Sequence, residues 1–150
     1  MGIVRFGTLL YEYTGAQKYR SMAAQAMRYL AAPDVATRLE VAGLLLADDE
    51  LGSSPLHVAV VGPREDEGTR ALLRTALAFP LSYKRVEVVD PRDGAQPRND
   101  IQYPASSRPA AYVCSEGRCS FPSRTPVALR ERLDRLASTN EAKAPPPPNP

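Results

Sequence analysis

The hydrophobic pattern of this chain changes period once, near Pro55. Before that point apolar residues recur every three to four positions. Ile3, Phe6, Leu10 and Tyr13 fall on one helix face. Thr14 and Gly15 break the pattern, with Gly15 placed where a helix ends in the left-handed conformation. A second helix resumes with Tyr19, Met22, Ala23, Ala26, Met27 and Leu30 on one side. So short a turn makes the two an antiparallel helical hairpin. Pro33 and Asp34 interrupt, and Leu39, Ala42, Leu45 and Leu46 mark a third helix ending near Gly52. The methionines and tyrosines of this region read as packing surface at helical spacing. Three such helices are not expected to close a core by themselves.

After Pro55 the pattern is that of buried strands. Leu56-His57-Val58-Ala59-Val60-Val61 is a short, nearly continuous apolar run stopped by Gly62-Pro63, as in a strand covered on both faces. Leu72, Leu73, Ala76, Leu77 and Phe79 predict a helix, which Pro80 stops. Arg85 to Asp90 alternates as a second strand. Residues 91–109, rich in Pro, Gly, Asn and Asp, read as an irregular loop. Ala110 to Cys114 is a third strand. Thr125-Pro126 then supplies a cap and a first-turn proline for a last helix carrying Val127, Leu129, Leu133 and Leu136. The tail from Glu141, with prolines at 145–148, lacks apolar anchors and reads as disordered. The order predicts an α/β fold: a small, mostly parallel three-stranded sheet with flanking helices, preceded by an N-terminal helical hairpin. The divisions are a helical segment over 1–53, an α/β segment over 54–139 and the tail over 140–150.

Composition narrows the functional classes. At 150 residues, 43% hydrophobic and 24% charged, the chain is long enough for one ordinary core. A net charge of +2, with arginines interleaved among acids, leaves no basic footprint for nucleic acid. No apolar run approaches the roughly 20 residues that span a bilayer, and the first residues do not form an export signal. Two cysteines in that setting point to the cytoplasm, where thiols are free, metal-bound or catalytic. Heavy use of Ala, Arg and Pro matches a GC-rich bacterial genome.

A parallel sheet delivers the carboxyl ends of its strands to one edge, where ligands of α/β proteins bind. On this reading Gly62, Asp90 and Cys114 meet there, with Cys119 in the loop beyond. The turn from Gly62 to Gly68 resembles a phosphate loop in position, but it lacks the glycine fingerprint, and Glu65, Asp66 and Glu67 would repel a phosphate. For Cys114 and Cys119 three states stay open: free thiols, a loop disulfide or redox pair, and a metal site. The only histidine, His57, starts the first strand. With all strands parallel it lies roughly 15 Å from the end of the third, at about 3.3 Å per residue, which removes it as a metal partner of Cys114. No cofactor and no metal are expected. A single histidine and the absence of a G-x-S-x-G elbow leave little support for hydrolase chemistry.

Several segments carry a family resemblance: Tyr13-Thr14-Gly15 with Tyr19 and Ala23, Leu44-Leu45-Leu46, the strand from Pro55 to Gly62, and above all Ala111-Tyr112-Val113-Cys114 followed, after four residues, by Cys119-Ser120-Phe121-Pro122. Over residues 2–136 the chain resembles the C-terminal end of the bacterial YyaL family, the thioredoxin-domain-containing, spermatogenesis-associated-protein-20-like proteins. The resemblance implies a thioredoxin-like domain and an α/α toroid, like that of six-hairpin glycosidases, ahead of a small closing α/β segment. This chain matches only the last toroid helices and that closing segment, so neither redox nor carbohydrate activity carries over. Only Cys114, Cys119 and Pro122 transfer as pattern residues. The expected function is therefore a non-catalytic C-terminal fragment or docking domain, with the rest of a helical toroid or a self-associating subunit as partner. The alternatives are a thiol redox or regulatory module using Cys114 and Cys119, and a small-ligand binder at the strand edge.

Overall fold

The computed structural model describes residues 2–39, 41–94, 101–104, 108–115 and 118–143, with the backbone alone over 139–143. Two helices, α1 (Gly2–Thr14) and α2 (Gln17–Leu30), form the antiparallel pair that the apolar spacing predicts. Gly15 joins them at φ +68, where a side chain would be strained. A short turn of helix, α3 (Pro33–Ala36), precedes α4 (Val41–Gly52). The three longer helices share a small core of Val4, Ala23, Met27 and Ala47. Close approach depends on small residues: a Cβ on Gly7 would stand 3.2 Å from that of Ala23.

The second half is a mixed α/β layer. Strand β1 (Leu56–Val61) leads to α5 (Glu67–Ala78) and β2 (Lys84–Val89), and β3 (Ala110–Ser115) to β4 (Arg118–Cys119) and α6 (Pro126–Lys143). The strands lie in the order β2-β1-β3-β4. Helix ends follow local chemistry. The Asp66 carboxylate accepts from Thr69 N at 3.1 Å to cap α5. Thr125 Oγ1 does the same for Ala128 N at the start of α6. One sheet face, Leu56, Val58, Val60, Ala111 and Val113, packs on Leu72, Ala76 and Phe79 of the α5 segment and on Leu129 and Leu133 of α6.

The predicted sheet differs in two respects. Among the described residues it has four strands rather than three, with β1 and β2 parallel and β3 antiparallel to β1. The reason lies in the connection. A parallel return needs a crossover, usually a helix. No apolar pattern of helical period exists over 91–109, so the chain leaves β2 and re-enters the sheet at the same edge, with Ala110 opposite Val61. The helices also turn differently from expectation. In α1 the buried residues are Val4, Gly7, Thr8 and Glu12, whereas Ile3 and Phe6 are more than half exposed.

The two layers are joined by tyrosines. Tyr13 of α1 donates from its hydroxyl to Val86 O and accepts from Val86 N, satisfying the outer edge of β2. Tyr83 donates to Glu50 O at 2.8 Å. Glu50 is buried and takes a bidentate bond from Arg5, both contacts 2.7 Å. Among the described residues no helix is long and apolar enough to cross a membrane. The expected disordered tail falls largely on residues 144–150, outside the described residues, and α6 continues to Lys143.

Candidate functional site

The reversal of β3 rearranges the expected site. Gly62 and Asp90 do stand at one edge, where Gly62 N donates to Val89 O. Cys114 does not join them. It lies at the opposite edge, directly across from His57. The expected grouping of Gly62, Asp90 and Cys114 is therefore corrected, and so is the separation of His57 from the cysteines. Both rested on a parallel β3.

The Gly62 edge is filled by its own side chains. Asp90 is buried, and its carboxylate accepts from Arg64 N, Arg92 N and the Arg92 guanidinium. Hydrogen bonds from the Arg92 side chain, then from its backbone, hold that carboxyl well below the usual carboxylate range. Arg92 also bridges to Glu65 at 2.6 Å, and Arg64 pairs with Asp93. These charges leave Asp90 committed within the protein rather than presented to a ligand.

At the other edge, one row of residues crosses the whole sheet. Arg85 of β2 pairs with His57 of β1, His57 with Cys114 of β3, and Cys114 with Cys119 of β4. Directly opposed residues share a sheet face. This is the face away from α5 and α6, for Cys114 packs with Val61, Ala110 and Tyr112. The two cysteines form a disulfide with Cα atoms 4.0 Å apart. Ser120 N donates to Val113 O next to it, so the bridge spans the non-hydrogen-bonded pair of the β3–β4 ladder. Of the three states left open for these residues, the structure holds the disulfide. Cys114 is buried at 3% exposure and Cys119 is exposed.

His57 is oriented by its other neighbour. Its Nε2 lies 2.6 Å from Glu87 Oε1, and Arg85 Nη2 donates to both Glu87 oxygens at 2.9 Å. Burial pushes the Glu87 carboxyl up, but the hydrogen bonds from His57 and Arg85 outweigh it and leave it below its ordinary value. An ionised carboxylate only accepts, so Nε2 carries the hydrogen. Arg85 in turn lies under the Tyr13 ring, 5.9 Å from its centroid. Glu87 and Arg85 went unrecognised in the sequence. Their signal was present: Arg85 and Glu87 stand at alternate positions beside the valines of β2.

The described residues contain no cluster of three or more His, Cys, Asp and Glu that could hold a metal ion. Opening the disulfide chemically is expected to lower the unfolding free energy by about 2 kcal/mol, because the bridge closes only a short loop. Thermal melts with and without a phosphine reductant measure this, and unchanged melting would show that β4 holds without the bridge. Comparison with protein-family models, with curated proteins and with solved structures finds no match for this chain.

Proposed function

We propose that this chain is a non-catalytic docking module, the closing part of a thioredoxin-domain-containing, α/α-toroid protein of the YyaL type. On this reading residues 1–53 form the packing layer and 54–139 the closing α/β layer. The observation that carries it is the apolar surface of the helices. Ile3 and Phe6 on α1, Tyr29 on α2, and Val41 and Leu45 on α4 are each 55–68% exposed. They recur at helical spacing, Ile3 with Phe6 and Val41 with Leu45, so each pair shares one side of its helix. Among the described residues, the buried apolar cluster of these helices is Val4, Ala23, Met27 and Ala47, with Ala26, Leu30, Leu44 and Leu51 partly buried against it. A layer with so thin a core and large apolar groups outside suits a second layer of helices, as successive hairpins of a toroid supply to one another.

The isolated chain is therefore expected to self-associate at micromolar concentration. The double variant F6E/L45E should sediment as a monomer with an unchanged far-UV spectrum. A parent chain that stays monomeric and binds no apolar dye would overturn the reading. The alternative of a ligand site at the strand edge is not supported, since Asp90 is engaged by Arg64 and Arg92.

A further inference from the structure

The row Arg85–His57–Cys114–Cys119 carries more than a structural bridge, and it does so independently of what covers the helices. We propose that the Cys114–Cys119 disulfide is an exchange site for anionic thiols, in which Cys119 receives the incoming sulfur and Cys114, backed by His57, leaves.

The asymmetry of burial selects the sulfur that is attacked. Cys119 is exposed, whereas Cys114 is covered by its neighbours on β1 and β3. A thiolate must approach one sulfur in line with the bond, and only Cys119 offers that approach. The leaving sulfur then needs stabilisation. Cys114 sits in a cross-strand pair with His57, whose Cβ is about 5 Å away in such a pair. Glu87 holds the ring by Nε2, so Nδ1 is the nitrogen that can relay a proton to the sulfur. Arg85 fixes Glu87 in its turn. The order thiol, imidazole, carboxylate is that of activated thiols, here assembled from three adjacent strands.

The surroundings of Cys119 choose the substrate. On the α6 side of β4, across the strand from the bridge, a cleft of about 300 Å³ is lined by Arg118 and Arg132, with Leu136 as an apolar wall. A second, of about 620 Å³, is lined by Tyr112, Cys119, Phe121 and Arg132, so it opens to the face that carries the bridge. Arg132 lines both, and its Nε is buried with no hydrogen-bond partner. On α6, Glu131 stands next to Arg132 and is exposed, and Asp134 is bound to Arg130. A thiol that carries carboxylates would place one beside the Arg132 guanidinium.

The step balances with two such thiols. The first, as thiolate, attacks Cys119 Sγ. The Cys114–Cys119 bond breaks and its electron pair leaves on Cys114 Sγ; the proton given up by the incoming thiol reaches Cys114 through Nδ1 of His57, which ends the step as it began. The second thiolate attacks the small-molecule sulfur of the mixed disulfide and releases Cys119. Two external thiols are oxidised to one disulfide, and the protein disulfide is reduced to two thiols.

The test compares glutathione, which is anionic, with cysteamine, which is cationic, each rate being normalised to its thiolate concentration. Glutathione is expected to react about tenfold faster, by the field of the arginines. R132Q should bring the two rates together. H57Q, whose amide still donates to Glu87, should slow both about tenfold or more while keeping their ratio. Alkylation and peptide mapping of the trapped intermediate should place glutathione on Cys119. In C119S, ultraviolet titration should find Cys114 below the ordinary thiol value of about 8.5, and adding H57Q should restore it. Equal rates for the two thiols in the parent, a mixed disulfide on Cys114, or H57Q reacting like the parent would each overturn the proposal. H57N serves in place of H57Q if the latter loses its far-UV spectrum.

Discussion

Leu129→Ala is expected to lower the unfolding free energy by about 3–4 kcal/mol, the largest effect of any single substitution considered for this fold. Leu129 is fully buried, and it packs in one cluster with Leu72, Phe79, Ala111, Val113 and Leu133. It therefore joins α6 to α5 and to the sheet at once. Truncation removes the transfer energy of the lost methyl groups and leaves a cavity between three elements. These cannot collapse together, because the sheet is rigid on the other side. Val127, two residues earlier on the same helix, is 69% exposed. Val127→Ala should stay within about 0.5 kcal/mol. Urea titrations of the two variants, with equal slopes, measure the difference. If both variants unfolded at the parent midpoint, α6 would not be packed as described. Total stabilities of small domains are about 5–15 kcal/mol, so Leu129→Ala is expected to leave a chain that is folded at low temperature and melts early.

Gly62→Ala is expected to cost about 3 kcal/mol, from overpacking and from backbone strain together. Gly62 ends β1 at φ +157, in a region that side chains rarely enter. A Cβ there would stand 2.5 Å from Thr69 Oγ1 and 3.3 Å from Pro109 Cβ. Neither neighbour has room to yield. Thr69 is buried in the first turn of α5, and Pro109 leads directly into β3. Thr69 Oγ1 is itself buried without a hydrogen-bond partner, so Thr69→Ala alone should be close to neutral. The double variant G62A/T69A should recover about 1 kcal/mol relative to G62A, the part due to the hydroxyl contact, and keep the backbone part. A fully additive cycle would place the cost in the backbone alone. Gly62, singled out in the sequence as a ligand-edge residue, thus has a packing reason for being glycine.

Local chemistry was readable from residues close in the chain. The apolar run from Leu56 to Val61, Gly62-Pro63 after it, Pro80 after α5 and Thr125-Pro126 before α6 each carry their own stop or start signal. The elements fall within a residue or two of those signals. The amphipathic stripes of the first helices were also legible, but not their environment. Ile3 and Phe6 have the spacing of a buried face, and periodicity does not tell whether a partner is present to bury it. Ala23 falls on the apolar face of the second helix, but Gly7, which lets α1 approach it, carries no hydrophobic signal in the sequence.

The direction of β3 was the one decision on which the site turned. A strand's own residues do not distinguish parallel from antiparallel pairing. That depends on where a connection of some twenty residues brings the chain back. The sequence by itself determined the class of fold, the helix and strand order, and the two cysteines as the place where chemistry is available. Tertiary structure alone decided that β3 runs antiparallel, so that Cys114 faces His57 instead of Asp90. It also decided that Arg85 and Glu87 stand behind that histidine. The physical reason is that these contacts are made across strands by residues up to about sixty positions apart, and strand direction, set by the long connection rather than by any local pattern, decides which of them meet.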